Sequence, residues 1–270
     1  MTVLDDIIAG VREDLQARRL PQNAIEAAAR EAVPARDAWL ALGGGESDPA
    51  LRVIAEIKRS SPSKGQLAGI GDPAALAEQY AAGGASVISV LTERRRFGGS
   101  LDDLDAVRAR VDVPLLRKEF TVDEYQIWEA RAHGADLILL IAAALDDAQL
   151  ADFSALAHEL GMNVLLETHT RDEIDRAAAV GARIIGVNVR NLKTLDVDRS
   201  VFGALAESIP DGAIAVAESG VRDLDDVSHY ASQGAQALLV GEALVRTQDP
   251  QALLRDFRRV GTQAMTARRS

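Results

Sequence analysis

Two hydrophobic periods alternate along most of the chain. Short runs rich in Val, Ile, Leu and Ala lie at residues 53–58, 86–91, 114–120, 137–142, 163–168, 183–189, 213–218 and 237–240. Each is followed by a loop and a stretch with helical spacing of apolar positions, at 73–82, 101–110, 124–132, 148–160, 171–179, 201–208, 224–232 and 250–260. Runs of that length read as strands, and the stretches between them as amphipathic helices. Repeated strand–helix units imply a parallel sheet, which right-handed crossovers close into a (β/α)8 barrel; an open doubly wound sheet is the alternative. The tripeptides GGA, HGA, VGA and QGA place Gly83, Gly134, Gly181 and Gly234 at helix-to-strand junctions, where a left-handed glycine cap is expected.

Residues 1–50 carry no strand pattern. Leu4, Ile7, Ile8, Val11 and Leu15 recur at helical spacing, Pro21 ends that helix, 24–30 begins another, and Trp39, Leu40 and Leu42 form a third short piece. Gly43, Gly44 and Gly45 follow; no strand precedes them and no Lys-Ser/Thr succeeds them, so they read as a flexible linker rather than a phosphate loop. The expected organisation is a helical extension over residues 1–50, an α/β barrel over 51–262, and a tail over 263–270.

Composition narrows the function. A length of 270 residues fits one such barrel, which typically takes about 250 residues. Hydrophobic residues make up 47% but aromatics only 4%, so the core is aliphatic. A net charge of −11 argues against nucleic acid or an anionic membrane as partner, and any anion must find a local pocket. The absence of cysteine excludes disulfides, thiolate metal sites and thiol nucleophiles, and suits a reducing cytoplasm. The acidic amphipathic start MTVLDDIIAGVRED lacks the basic and apolar regions of a signal peptide. The longest apolar run, 137–145, is far short of the ~20 residues that span a bilayer.

Polar residues cluster where the strand runs stop. Glu56 and Lys58, Thr92, Lys118, Glu167, Asn188 and Arg190, Glu218 and Ser219, then Gly241 and Glu242 all stand at carboxyl ends. A barrel gathers those ends in one mouth, the face on which such enzymes place their sites. Any one of these residues alone reads as a solvated rim charge; the repetition over five strands makes that reading poor. Lys118 follows Leu115 and Leu116, which suits a general acid on an apolar stem, and Glu167 and Glu218 end apolar strands as candidate bases or hydroxyl ligands. Ser60, Ser61, Ser63 and Gly65 offer hydroxyls and backbone amides to an anion. Ser219-Gly220 and Gly241-Glu242 lie after strands seven and eight, the usual phosphate site, although each pair taken alone serves equally well as a tight turn. His133, His158, His169 and His229 show no metal-ligand spacing, so no metal is expected; His169 reads as a rim residue. Ser219 lies in AESGV, not GxSxG, which removes support for a hydrolase triad. Arg94, Arg95 and Arg96 read as a solvated loop or a lure for an anionic substrate.

The segments VIAEIKRSSPSKG, SVLTERRRFGGSLDDL, PLLRKEF, VLLETHT, IGVNVRNLKTLDVD, AVAESGV and LLVGEAL, in this order, resemble the strand-end motifs of the indole-3-glycerol phosphate synthase family. The resemblance implies ring closure of 1-(2-carboxyphenylamino)-1-deoxyribulose 5-phosphate to indole-3-glycerol phosphate, with loss of carbon dioxide and water and no cofactor, and implies that the helical extension over residues 1–50 covers the barrel mouth. It implies that Lys118 is the general acid at the substrate carbonyl and that Lys58 meets the substrate carboxylate and acts in dehydration. It makes Glu167 a catalytic carboxylate near Lys118, and Glu56 a proton acceptor held by the amide of Asn188. Arg190 and Glu218 would orient the substrate beside Ser219. Ser61, Gly220 and Gly241, with Glu242 next to them, would form the phosphate cradle; Pro62, Phe97, Phe120, Leu139 and Leu192 would form the slot for the aromatic ring. Gly98, Glu119 and Val189 depart from the family pattern without touching a proposed catalytic group. A monomer, or at most a weak oligomer, is expected. A related phosphoribosyl isomerase is the competing enzyme reading, disfavoured by Glu56 and Glu167 where a Cys/Asp or Asp/Asp pair belongs. A non-catalytic phosphosugar binder is the third, disfavoured because unpaired buried charges are costly.

Overall fold

The computed structural model describes residues 2–46, 50–62, 64–67, 69–191 and 194–269. Eight parallel strands close into a barrel: β1 (Arg52–Ile57), β2 (Val87–Leu91), β3 (Leu115–Lys118), β4 (Leu137–Ile141), β5 (Asn163–Thr168), β6 (Ile184–Asn188), β7 (Ile214–Glu218) and β8 (Ala237–Val240). Each pairs with its neighbour in sequence, and β8 returns to β1 through Val53↔Leu238 and Ala55↔Val240. The open-sheet alternative is thereby excluded. Alternation along the strands separates two apolar layers. Ile54, Leu116, Leu165, Ile184, Val216 and Leu239 fill the barrel interior. Val53, Leu115, Leu166, Ile185, Ala217 and Leu238 face outward and pack against the helices.

The outer ring comprises α4 (Pro73–Ala82), α5 (Leu101–Arg108), α6 (Tyr125–Ala132), α7 (Asp147–Glu159), α8 (Arg171–Ala179), α9 (Val201–Ala206), α10 (Leu224–Ser232), α11 (Glu242–Arg246) and α12 (Pro250–Arg269). α12 runs beyond the expected end at 260 and carries the chain as helix to Arg269. The short α11 forms in the helix-favouring sequence that follows Gly241, and one further element lacks a signature in sequence: a two-residue hairpin pairing Ser60–Ser61 with Gly65–Gln66 in what reads as a plain turn. The glycine caps need one correction. Gly134, Gly181 and Gly234 are left-handed as expected, but at the first junction the left-handed residue is Gly84 (φ +91), while Gly83 keeps helical backbone. In a Gly-Gly pair, sequence alone does not say which residue turns.

The helical extension consists of α1 (Val3–Arg18), α2 (Gln22–Glu31) and α3 (Ala38–Ala41). A capping box between Thr2 and Asp5 starts α1, satisfying amides that the first turn leaves open. Leu15 of α1 and Ile25 and Ala29 of α2 bury themselves against Tyr125 and Trp128 of α6, each large side chain contributing about 1.5–3 kcal/mol. α3 lies at the opposite end of the barrel from the catalytic face: Ala38 and Leu42 join Ile54, Val87, Ile184 and Ile214 at the strand starts. Asn163 Oδ1 accepts from the amides of Ala38 (2.6 Å) and Trp39 (3.2 Å), and the Arg183 guanidinium stacks 3.6 Å over the Trp39 ring. Gly43, Gly44 and Gly45 form a turn packed under Trp39 rather than an open linker, since a Cβ on Gly44 would collide with the indole.

Asp136 joins the extension to the base of the barrel. Its buried carboxylate accepts from the amides of Arg36 (2.8 Å) and Leu115 (2.8 Å) and pairs with Arg108 (2.7 Å). Asp136→Ala leaves two amides without their acceptor and Arg108 without its anion, although Arg108 Nη2 keeps the carbonyls of Val111 and Val113, so it is expected to lower unfolding free energy in urea by about 3 kcal/mol. Turnover per folded molecule should not change, because the site lies at the other end.

Candidate active site

The site follows from the strand alternation. Two residues beyond each inward apolar side chain, the same face turns polar: Ile54 leads to Glu56, Leu116 to Lys118, Leu165 to Glu167 and Val216 to Glu218. Backbone register then brings these groups together, with Glu167 opposite Gly186 and Asn188 opposite Glu218. They form the floor of a cavity of about 380 Å³ at the carboxyl ends of the strands.

Lys118 is the centre of that floor. Its Nζ stands 2.5 Å from Glu218 Oε2 and 3.2 Å from Glu167 Oε2. Room for this cluster comes from Gly186, where any Cβ would collide with Glu218 Oε1. A second pair, Glu56 and Lys58, meets at 2.5 Å, and Gly241 makes space for it, since a Cβ there would lie 2.7 Å from Glu56 Oε1. A side chain at Gly241 would have to displace the Glu56 carboxylate, independently of any phosphate.

Asn188 corrects an expectation. Its Nδ2 donates to Glu167 Oε1 (3.1 Å), not to Glu56, while its Oδ1 accepts from Ser219 Oγ (2.9 Å) and the Arg190 amide (3.1 Å). Ser219 adopts a left-handed backbone (φ +72) that a non-glycine residue rarely takes, and its hydroxyl bond to Asn188 holds it there. Arg190 is aimed by its own loop, Nη1 donating to Leu195 O at 2.8 Å. His169 stands behind the floor rather than on a free rim, 3.6 Å from Glu167 and 3.4 Å from Glu173.

These contacts set the charges. Burial disfavours the Lys118 ammonium, but Glu218, Glu167 and Glu56 outweigh it and hold its pKa above the ordinary lysine value. Burial likewise opposes ionisation of Glu167, yet Lys118, His169 and the Asn188 amide keep it below the usual carboxylate range. Glu218 goes the other way. Burial, with the negative charge of Glu167 beside it, outweighs Lys118 and pushes it up to about 7. His169 is also raised: its burial is more than offset by Glu173 and Glu167. One ammonium between two carboxylates leaves one of them a proton acceptor near neutrality.

The walls differ in character. On the β2–β4 side, Phe97 and Phe120 stand 6.1 Å apart (ring centroids) with Leu139 beside them, and Val3, Leu4 and Ile7 of α1 complete an apolar end that the sequence pattern did not connect to the site. On the β7–β8–β1 side lie Gly220, Gly241, Ser61 and Pro62, with Arg199, Arg222 and Lys64 contributing cations. Glu242 lies at this end too, its charge offset by Lys64 (2.6 Å) and Arg246 (3.0 Å). Leu192 lies outside the described residues. Arg95 and Arg96 are exposed, as a solvated loop requires, but they are not a free lure for substrate: they pair with Glu13, Asp14 and Asp6 of α1. Among the described residues no group of three His, Asp or Glu side chains is placed to hold a metal ion.

Comparison with known proteins follows the same lines. A sequence model of the indole-3-glycerol phosphate synthase family matches residues 4–257. The indole-3-glycerol phosphate synthase of Paenarthrobacter aurescens is 68% identical over 99% of this chain and 100% of its own length. That of Micrococcus luteus is 60% identical over 96% of this chain and 97% of its own. Among solved structures, a 3-hexulose-6-phosphate synthase superposes with a TM-score of 0.62 at 20% identity, over 78% of this chain and 99% of that one. The thiamine phosphate pyrophosphorylase of Pyrococcus furiosus gives 0.59 at 14%, over 80% and 96%. At those identities the likeness is one of fold.

The raised Glu218 has a measurable consequence. A carboxyl held above its ordinary value stabilises the fold below that value and loses the contribution as pH climbs through about 7. Glu218→Gln should therefore melt a few degrees higher than the unaltered protein at pH 8, with the gain gone by pH 5. Scanning calorimetry at the two pH values checks it.

Proposed function

Because this chain belongs to the indole-3-glycerol phosphate synthase family, we propose that the floor around Lys118 performs the chemistry while the two walls hold the two ends of the substrate. The family activity is the decarboxylating, dehydrating ring closure of 1-(2-carboxyphenylamino)-1-deoxyribulose 5-phosphate to indole-3-glycerol phosphate in tryptophan biosynthesis, a carbon–carbon lyase reaction. The isomerase and non-catalytic readings fall with that membership.

In our reading the aromatic ring lies between Phe97, Phe120, Leu139 and Pro62, and the phosphate meets Ser61 and the backbone at Gly220 and Gly241. The reacting carbonyl is then left over Lys118. Lys118 donates its proton to the carbonyl oxygen as the carboxyl-bearing ring carbon attacks, forming the carbon–carbon bond. Loss of carbon dioxide returns the electron pair to the ring. Lys58, paired with Glu56, meets the substrate carboxylate and supplies the proton with which the hydroxyl leaves as water. Glu56 and Glu218, the latter raised to about 7 and so able to take a proton near neutrality, are the available acceptors for the proton that the new ring loses with the water. Glu167 supports the charge on Lys118, and Asn188, Ser219 and Arg190 orient substrate and side chains. Carbon dioxide and water account for the whole difference between substrate and product, with no net oxidation or reduction.

The observation that carries this reading is the single ammonium shared by Glu167 and Glu218 on the cavity floor. A substrate carbonyl must compete with Glu218 for that ammonium, so the acid is protonated and in place before the ring carbon arrives. A monomeric, cytoplasmic protein goes with the reading; no helix among the described residues is long and apolar enough to cross a membrane. Lys118→Ala is expected to reduce kcat by about 10³-fold in an indole-fluorescence assay while inorganic phosphate still binds. Near-normal kcat in that variant would remove Lys118 from the acid role.

A further inference from the structure

Helix α1 contains a residue that helix formation alone does not explain. Gly10 sits buried in its middle, where glycine is about 1 kcal/mol worse than alanine. A Cβ there would come 3.1 Å from Arg95 Cδ and 3.2 Å from Arg95 Nη1, so the gap at Gly10 is the slot in which the Arg95 side chain lies. Beyond the slot the guanidinium is gripped by successive carboxylates of the same helix. Nε and Nη2 meet Asp14 at 3.0 and 2.7 Å, and Nη1 meets Glu13 at 2.8 Å. Asp6, a turn before Gly10, takes Arg96.

The loop that presents Arg95 is itself fixed from beneath. The buried Glu93 carboxylate accepts from the amides of Arg95 (3.0 Å), Arg96 (2.7 Å) and Phe97 (2.9 Å). One carboxylate thus orients Arg95 outward to the helix and Phe97 inward to the cavity. On α1 the same division holds: Gly10, Glu13 and Asp14 face Arg95, while Leu4 and Ile7 line the cavity.

We infer that Arg95 is a positioning residue for substrate binding: keyed into Gly10, it locks α1 against the loop after β2 so that Leu4, Ile7 and Phe97 close the apolar end of the site. The lock acts at the mouth and leaves the strand-borne floor untouched, so its loss is read in KM and not in kcat. The inference rests on the placement of the aromatic ring against Phe97 given above.

Arg95→Met should raise KM for the carboxyphenylamino substrate about fivefold, with kcat per folded molecule and the competitive Ki of inorganic phosphate unchanged. Arg95→Glu should be worse, and adding Asp14→Arg should restore most of the lost affinity by rebuilding the pair with the charges exchanged. The ratio of KM between Arg95→Met and the unaltered protein should shrink in 1 M salt, where the Debye length is about 3 Å. A normal KM in Arg95→Met, a fall in kcat at constant KM, or a reversed pair no better than Arg95→Glu alone would each overturn the inference. Phe97→Ala separates it from its premise. If Phe97→Ala raises KM while Arg95→Met does not, only the lock is wrong; if Phe97→Ala has no effect, the ring placement is wrong and the lock falls with it.

Discussion

The ammonium of Lys118, held 2.5 and 3.2 Å from two buried carboxylates, is the interaction around which the rest of the site is arranged. Removing three charged groups from water is costly, and a cluster with one cation and two anions does not neutralise itself. The surroundings share that load. Asn188 and His169 support the charge on Glu167, and Gly186 leaves open the space that the Glu218 carboxylate fills. Glu218 bears the remainder as a raised pKa. The floor is therefore poised to exchange a proton near neutrality, with its three groups carried on three strands of the closed barrel.

Such a floor needs stability from elsewhere, and the molecule separates the two tasks along the barrel axis. The strand starts are closed by apolar packing of Ala38 and Leu42 and by the fully bonded Asp136, which does no chemistry. The strand ends carry the charges and the cavity. The helical extension serves both ends: α3 plugs the base, α1 walls the mouth, and α2 anchors between them on Tyr125 and Trp128. Its expected role as a cover over the mouth describes α1 alone.

The barrel was legible because period-two and helical patterns repeat eight times, and the strand-end residues because apolar runs stop at the same kind of side chain each time. What resisted reading depends on pairs distant in the chain. Asn188 was expected on Glu56, but the register of β5, β6 and β7 sets it on Glu167, and register is invisible in one strand. The arginine run looked like free charge because its partners on α1 lie about eighty residues away. Gly186 carries no turn signal and Gly241 read as a phosphate-site or turn glycine; at both, a neighbouring strand puts a carboxylate where a Cβ would be. Local glycine chemistry, by contrast, was read at three of the four junctions and misplaced by one residue at Gly83-Gly84.

The most direct test of the central claim is a 13C NMR titration of the protein labelled at its glutamate carboxyl carbons, with Glu218→Gln used to assign the resonance. The shared-ammonium arrangement predicts one buried carboxyl, absent from the Glu218→Gln spectrum, that titrates near pH 7 while Glu167 stays ionised well below the usual glutamate range. If both carboxyls instead titrate together at the ordinary value of about 4.3, Lys118 is not shared between them and the floor cannot be poised as described.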